Sequence, residues 1–210
     1  MSNGAESLFA TKTNVSNSTI IEVPRASYYL LQPDILRNLI IMSLVWLSTS
    51  FGYYLILSLV NTFSKVYVSG LTSSFSEMAA YIISGLFYEK IGVKLSLILA
   101  FSISTLGGIA ILVWGLQHED SVLFFVFFLM TKFGVTCTFN INYAANSYFF
   151  PTLFATTALG ICNFLARLAS AFSFVVGEME EPLPMYLFTI LCGLSIIAAF
   201  FLKTSEEKSL

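Results

Sequence analysis

The sequence predicts an all-α integral membrane protein of six transmembrane helices, and three observations carry that prediction. Of 210 residues, 57% are hydrophobic and 10% charged, with a mean hydropathy of +0.83, whereas soluble domains carry about 25% charged residues. Twenty-one Phe and ten Tyr would leave apolar patches of a size that soluble monomers avoid. Apolar stretches of about 20 residues, the length that crosses hydrocarbon, recur six times. A net charge of −2 gives no basic footprint for nucleic acid. Cys137, Cys162, Cys192 and His118 are too few and too scattered for a disulfide framework or a zinc site, so neither a metal nor a cofactor is expected. The cysteines all lie in apolar stretches, where they act as small hydrophobes. No catalytic His/Cys or paired-carboxylate pattern is present, and an enzyme is not expected.

Residues 1–34 read as a polar, largely disordered cytoplasmic segment. Met1 to Ser27 is rich in Ser, Thr and Asn, with no apolar core for a secretory signal and almost no Arg for a transit peptide. Asn14 and Asn17 open glycosylation sequons that matter only if the tail is luminal. Residues 35–203 form the expected six-helix transmembrane domain, and 204–210 a cytoplasmic tail.

The first span is about Ile35–Val60, uncharged from Asn38 to Ser64. The second, about Tyr67–Tyr88, contains Glu77. The third, about Leu95–Leu116, is uncharged and carries Gly107-Gly108, which suit helix contact. The fourth, about Val122–Phe149, contains Lys132, and the fifth, about Phe154–Val176, contains Arg167. The sixth is about Leu183–Leu202. Six spans put both ends on one side. That side carries Arg25, Arg37, Lys90, Lys94, Lys203 and Lys208, against Lys65 alone on the other, where Glu119, Asp120, Glu178, Glu180 and Glu181 gather. The bias makes both termini cytoplasmic.

Charge inside the bilayer costs about 2.5–3.5 kcal/mol per group on insertion scales and therefore faces a cavity or a partner. On the fourth span Lys132, Thr136, Asn140, Tyr143 and Ser147 stack on one face, widened by Asn142 and Asn146. Ser73, Glu77, Tyr81, Ser84 and Tyr88 make a similar stripe on the second. On the fifth, Asn163 and Arg167 are one turn apart. Ala158, Cys162, Ala166 and Ser170 form a ladder of small residues for close packing on another face of that helix. Glu77 is open to two readings: a buried ion pair with Lys132 or Arg167 that fixes helix register, or a cavity-facing acid. With two cations to one anion, one positive charge lacks an intramembrane partner, and a bound anion would answer it. Tyr53, Tyr54 and Trp46 are aromatic contacts for an organic ligand or, especially for Trp46, core packing.

Read in order, these elements resemble the C-terminal half of the major facilitator superfamily, in particular its organic cation and organic anion transporters. Leu30–Arg37 is similar to the entry into the family's seventh helix, and Val45–Tyr54 to that helix's aromatic segment. Glu77-Met78-Ala79-Ala80-Tyr81 resembles the eighth helix's acid motif. Gly85, Glu89, Lys90, Gly92 and Lys94 fit a degraded form of the superfamily's cytoplasmic loop motif. Lys132–Val135 with Phe139–Ile141 resembles the tenth helix, and Phe150-Pro151-Thr152, Gly160–Cys162 and Ala166–Leu168 the loop into the eleventh helix and that helix itself. The sequence departs from the family at Tyr148, where an acid is usual, at Ala155, where an Arg is usual, and at Tyr81, where some anion transporters carry a cation.

The resemblance implies one half of a major facilitator fold that transports small organic solutes by alternating access against a second half. The substrate-cavity candidates are Arg167, Glu77, Lys132, Asn140, Asn163, Tyr53, Tyr54 and Tyr81; in the family a cation at the position of Arg167 goes with organic anions. The implied partners are the bilayer, an organic solute, and a missing N-terminal half, a second copy or another membrane subunit. The plasma membrane is expected rather than an organelle membrane. The alternatives are a non-transporting subunit or scaffold of a larger complex, and a truncated fragment; a multi-copy channel lacks a charged filter ring.

Overall fold

A computed structural model describes residues 32–60, 66–115 and 121–203, and every described regular element is helical. The six helices are α1 (Pro33–Val60), α2 (Val66–Ile91), α3 (Val93–Val113), α4 (Val122–Phe149), α5 (Thr152–Gly177) and α6 (Leu183–Phe200). The expected tails, and the connectors holding Lys65 and Gln117 to Asp120, lie outside the described residues.

Local chemistry accounts for the ends. Pro33 opens α1, where its fixed φ suits a helix start and its missing N–H is no loss, and Asp34 in the first turn complements the helix dipole. The helix therefore takes in Pro33 and Asp34, two residues that were expected to belong to the polar segment. Ser121 caps α4 by accepting a hydrogen bond from the Phe124 N–H at 3.1 Å. Gly92 alone separates α2 from α3. Its φ of +80° is a left-handed conformation that favours glycine, and its carbonyl accepts from both the N–H and the hydroxyl of Ser96. The loop expected from Glu89 to Lys94 is thus a one-residue break. Glu89 and Lys90 finish α2, and Lys94 lies in the first turn of α3.

Among the described residues, five helices are long and apolar enough to cross a membrane, and α2 is not one of them. Its 26 residues reach about 39 Å at 1.5 Å per residue, ample for a bilayer. Its shortfall is in apolarity, because Ser73, Ser74, Ser76, Glu77 and Ser84 interrupt the sequence. The second span stands where the sequence placed it, and its polar stripe meets α4, with Glu77 against Lys132 and Ser84 against Asn140. The chain is a multi-pass, all-α membrane protein.

Packing is tightest between α3 and α4 and between α1 and α5. A Cβ on Gly134 would lie 2.6 Å from the Ser104 backbone nitrogen, and one on Gly107 would overlap Thr131. Only glycine permits this approach, and the Ser104 hydroxyl then donates to the Thr131 carbonyl across it at 3.0 Å. Ala158, Cys162, Ala166 and Ser170 are all buried, and Cys162 contacts Ser43 of α1. All three cysteines are free and buried. The first and last helices are clasped together. The Asn38 amide donates to the Lys203 carbonyl at 2.9 Å and accepts from the Lys203 N–H at 3.3 Å, while Asp34 lies within 4 Å of both Arg37 and Lys203. The start of α1 and the end of α6 therefore share one face of the bundle.

Candidate functional site

The polar stripes meet where α1, α2 and α4 converge. Lys132, on α4 two residues before the glycine that draws this helix against α3, is buried, its side chain 5% exposed. Its ammonium lies 3.1 Å from Glu77 Oε1 on α2, and the Glu77 side chain is 22% exposed. The Tyr53 hydroxyl of α1 donates to the same carboxylate oxygen at 2.8 Å, and the Lys132 ammonium stands 5.8 Å from the Tyr53 ring centroid. Three helices are thus joined at one carboxylate. Of the two partners open to Glu77 in the sequence, the structure selects Lys132.

Arg167 is placed differently. It is exposed on α5, and its Nη1 donates to the Tyr54 hydroxyl at 3.1 Å. Among the described residues no carboxylate pairs with it. Tyr53 and Tyr54, whose rings meet edge-on at 5.4 Å, link the two sites. Consecutive helix residues point about 100° apart, so α1 sends one phenol to the ion pair and the next to Arg167. Phe174 closes over Tyr54 at 5.8 Å.

The remaining candidates divide. Tyr81 is exposed one turn beyond Glu77. The Asn140 amide donates to the Ser84 hydroxyl at 2.7 Å, joining α4 to α2 two turns beyond the ion pair. Asn163 turns back onto its own helix at the Leu159 carbonyl and meets no other candidate. Asn142 and Asn146 do not widen the open face: both are buried, donating to Thr49 of α1 and to the Ala155 carbonyl of α5. Trp46 is a core residue, packed edge-on against Tyr143 at 4.8 Å and Phe139 at 5.9 Å. Gly85 of the expected loop motif lies inside α2, about two turns before the break at Gly92. Beside it is a recess of about 300 Å³ lined by Ser84, Gly85, Tyr88, Asn140, Ile141, Tyr143 and Ala144. Ser84, Tyr88 and Tyr143 stood in the polar stripes without being singled out. Gly85, next to Ser84 and one turn before Tyr88 on α2, was the signal for the recess.

No protein-family model matches the chain. Human organic cation/carnitine transporter 2 is 30% identical over 176 residues, 81% of this chain and 31% of its own length. Mouse solute carrier family 22 member 21 is 28% identical over 188 residues, 87% of this chain and 33% of its own. This chain is homologous to the solute carrier family 22 transporters. Member 6-A of that family from Xenopus laevis extends the similarity to 93% of the chain at 27% identity. The chain spans about a third of the length of the solute carrier family 22 relatives it matches. The homologues are transporters, as the resemblance implied, and none is an enzyme.

Proposed function

We propose that the chain forms the C-terminal half of a secondary transporter, with both ends cytoplasmic in the plasma membrane, and that Arg167 contacts the anionic group of an organic solute. The observation that carries this reading is the unequal treatment of two cations. Lys132 is neutralised by Glu77; Arg167 is exposed and, among the described residues, has a neutral phenol as its side-chain partner. A planar guanidinium suits bidentate carboxylate recognition, and an intramembrane charge left open to a cavity is a functional site by default. Glu77, already engaged by Lys132 and Tyr53, is unavailable to a cationic solute in this conformation. Tyr54 orients Arg167, Tyr53 and Lys132 hold the bundle around it, and a second half closes the open side, as in transporters built from paired repeats.

The deciding experiment is uptake of organic anions and of organic cations by cells expressing the chain, with Arg167→Ala alongside. Anion uptake that collapses in the variant is expected. Wild-type uptake that survives the substitution with its substrate preference intact overturns the assignment. Tyr148 and Ala155, where the family carries an acid and an Arg, favour the second reading, a non-transporting subunit. That reading predicts no flux and a stoichiometric membrane partner on purification.

A further inference from the structure

The recess between α2 and α4 differs in chemistry from the surroundings of Arg167. No charged side chain lines it. Its polar groups are the Ser84 hydroxyl, the Asn140 amide and the phenols of Tyr88 and Tyr143. Asn140 uses its NH2 on Ser84 and keeps its carbonyl oxygen as an acceptor. Among the described residues neither phenol hydroxyl has a hydrogen-bond partner. Tyr88 and Tyr143 are 39% and 46% exposed and form the rim, while buried Ile141 and small Ala144 give an apolar floor. A Cβ on Gly85 would meet nothing within 4 Å, so the glycine leaves the space open instead of admitting a neighbouring helix.

A lipid tail matches this lining poorly, because it would leave several polar groups unsatisfied in hydrocarbon. A flat, uncharged group with a hydroxyl fits better: its face meets the tyrosine rings and its hydroxyl meets Asn140 or a phenol. Position along the bundle sets the relation to Arg167. Tyr53 and Tyr54 put Arg167 level with Glu77 and Lys132. Ser84 and Asn140 lie seven and eight residues further along α2 and α4, which is about 10–12 Å at 1.5 Å per residue.

We propose that this recess binds the uncharged, phenol-like end of a solute whose anionic end lies at Arg167, or a neutral phenol by itself. The proposal rests on the organic-anion reading for the charged end alone. The recess sets how long a solute must be to gain from both ends.

The test uses three probes on the full chain in lipid nanodiscs, with affinity measured by calorimetry. Phenylacetate is too short to reach both sites, (hydroxyphenyl)octanoate is long enough to span them, and p-cresol carries no charge. Gly85→Leu fills the recess without a backbone clash and raises helix propensity. It is expected to weaken the long anion and p-cresol by about tenfold or more, the effect of losing one buried hydrogen bond with its ring contact, and to leave phenylacetate unchanged. Tyr88→Ala should weaken the same two probes without filling the space. Unchanged p-cresol and long-anion binding in both variants overturns the subsite, as does equal weakening of all three probes. Arg167→Ala separates the two readings. If phenylacetate binding ignores Arg167 while the Gly85 result holds, the anion assignment fails and the recess stands; the reverse pattern removes the recess alone.

Discussion

The two cationic sites of this bundle lie a few ångströms apart along α1, yet they are built on opposite principles. At Lys132 every requirement of a buried charge is met locally: a carboxylate at 3.1 Å, a tyrosine hydroxyl on that carboxylate, and a tyrosine ring beside the ammonium. At Arg167 one phenol is the side-chain partner among the described residues, and Arg167 is exposed. The first site joins three helices; the second is the one that the proposed function gives to an anionic solute. Intramembrane charge is therefore no single signal. Its meaning depends on whether the opposite charge is already supplied.

The largest expected effect comes from breaking the closed site. Glu77→Gln strands Lys132 as a buried, uncompensated cation and should destabilise the fold by about 3–5 kcal/mol. Adding Lys132→Met to that variant should recover most of the loss, because an apolar side chain of similar length removes the stranded charge. Denaturant unfolding in detergent micelles measures both. A single variant as stable as wild type would show that the pair does not close this site. The packing that fixes it can be broken separately. Gly134→Val forces α4 off the Ser104 backbone and should cost about 1–3 kcal/mol by overpacking, with the charges untouched.

Adjacent hydroxyls on α1 sharpen the comparison. Tyr53→Phe removes a hydrogen bond to a carboxylate at 2.8 Å, which is worth about 1.5–3 kcal/mol to a charged acceptor. Tyr54→Phe removes one from an exposed site and should change stability by less than about 0.5 kcal/mol. The same unfolding assay compares them, and equal losses would dissolve the distinction between closed and open sites.

How much of this was legible in the sequence follows from what each feature depends on. The helices α1, α3, α4, α5 and α6 are written as apolar runs that need no partner to be recognised. The helix α2 was harder: its Ser- and Glu-bearing stripe belongs against α4, so its hydropathy falls short although its length does not. The choice of Lys132 over Arg167 as the partner of Glu77 was out of reach, because the three charges lie on three helices and only their rotation and approach decide. The approach is set in part by Gly134, two residues from Lys132. Asn142 and Asn146 show the same limit. They occur beside the polar stripe in sequence, but the turn of α4 sends them into the α1 and α5 contacts. Gly85 was visible as a glycine within the second span, but the space it leaves depends on how α2 and α4 approach each other.

The smallest stability effect should come from the residue to which the proposed function assigns the solute contact. Arg167→Ala removes one exposed hydrogen bond and no ion pair among the described residues, so its unfolding midpoint should stay within about 0.5 kcal/mol of wild type. The buried ladder of Ala158, Cys162 and Ala166 lies on another face of α5. If the charge were structural, as Lys132 is, its loss would register in stability as a removed buried partner does. A variant that unfolds like wild type while losing phenylacetate binding would place the two cations in separate roles. One that loses several kcal/mol would make Arg167 a second register-fixing charge. The open site would then have to be sought in the neutral recess alone.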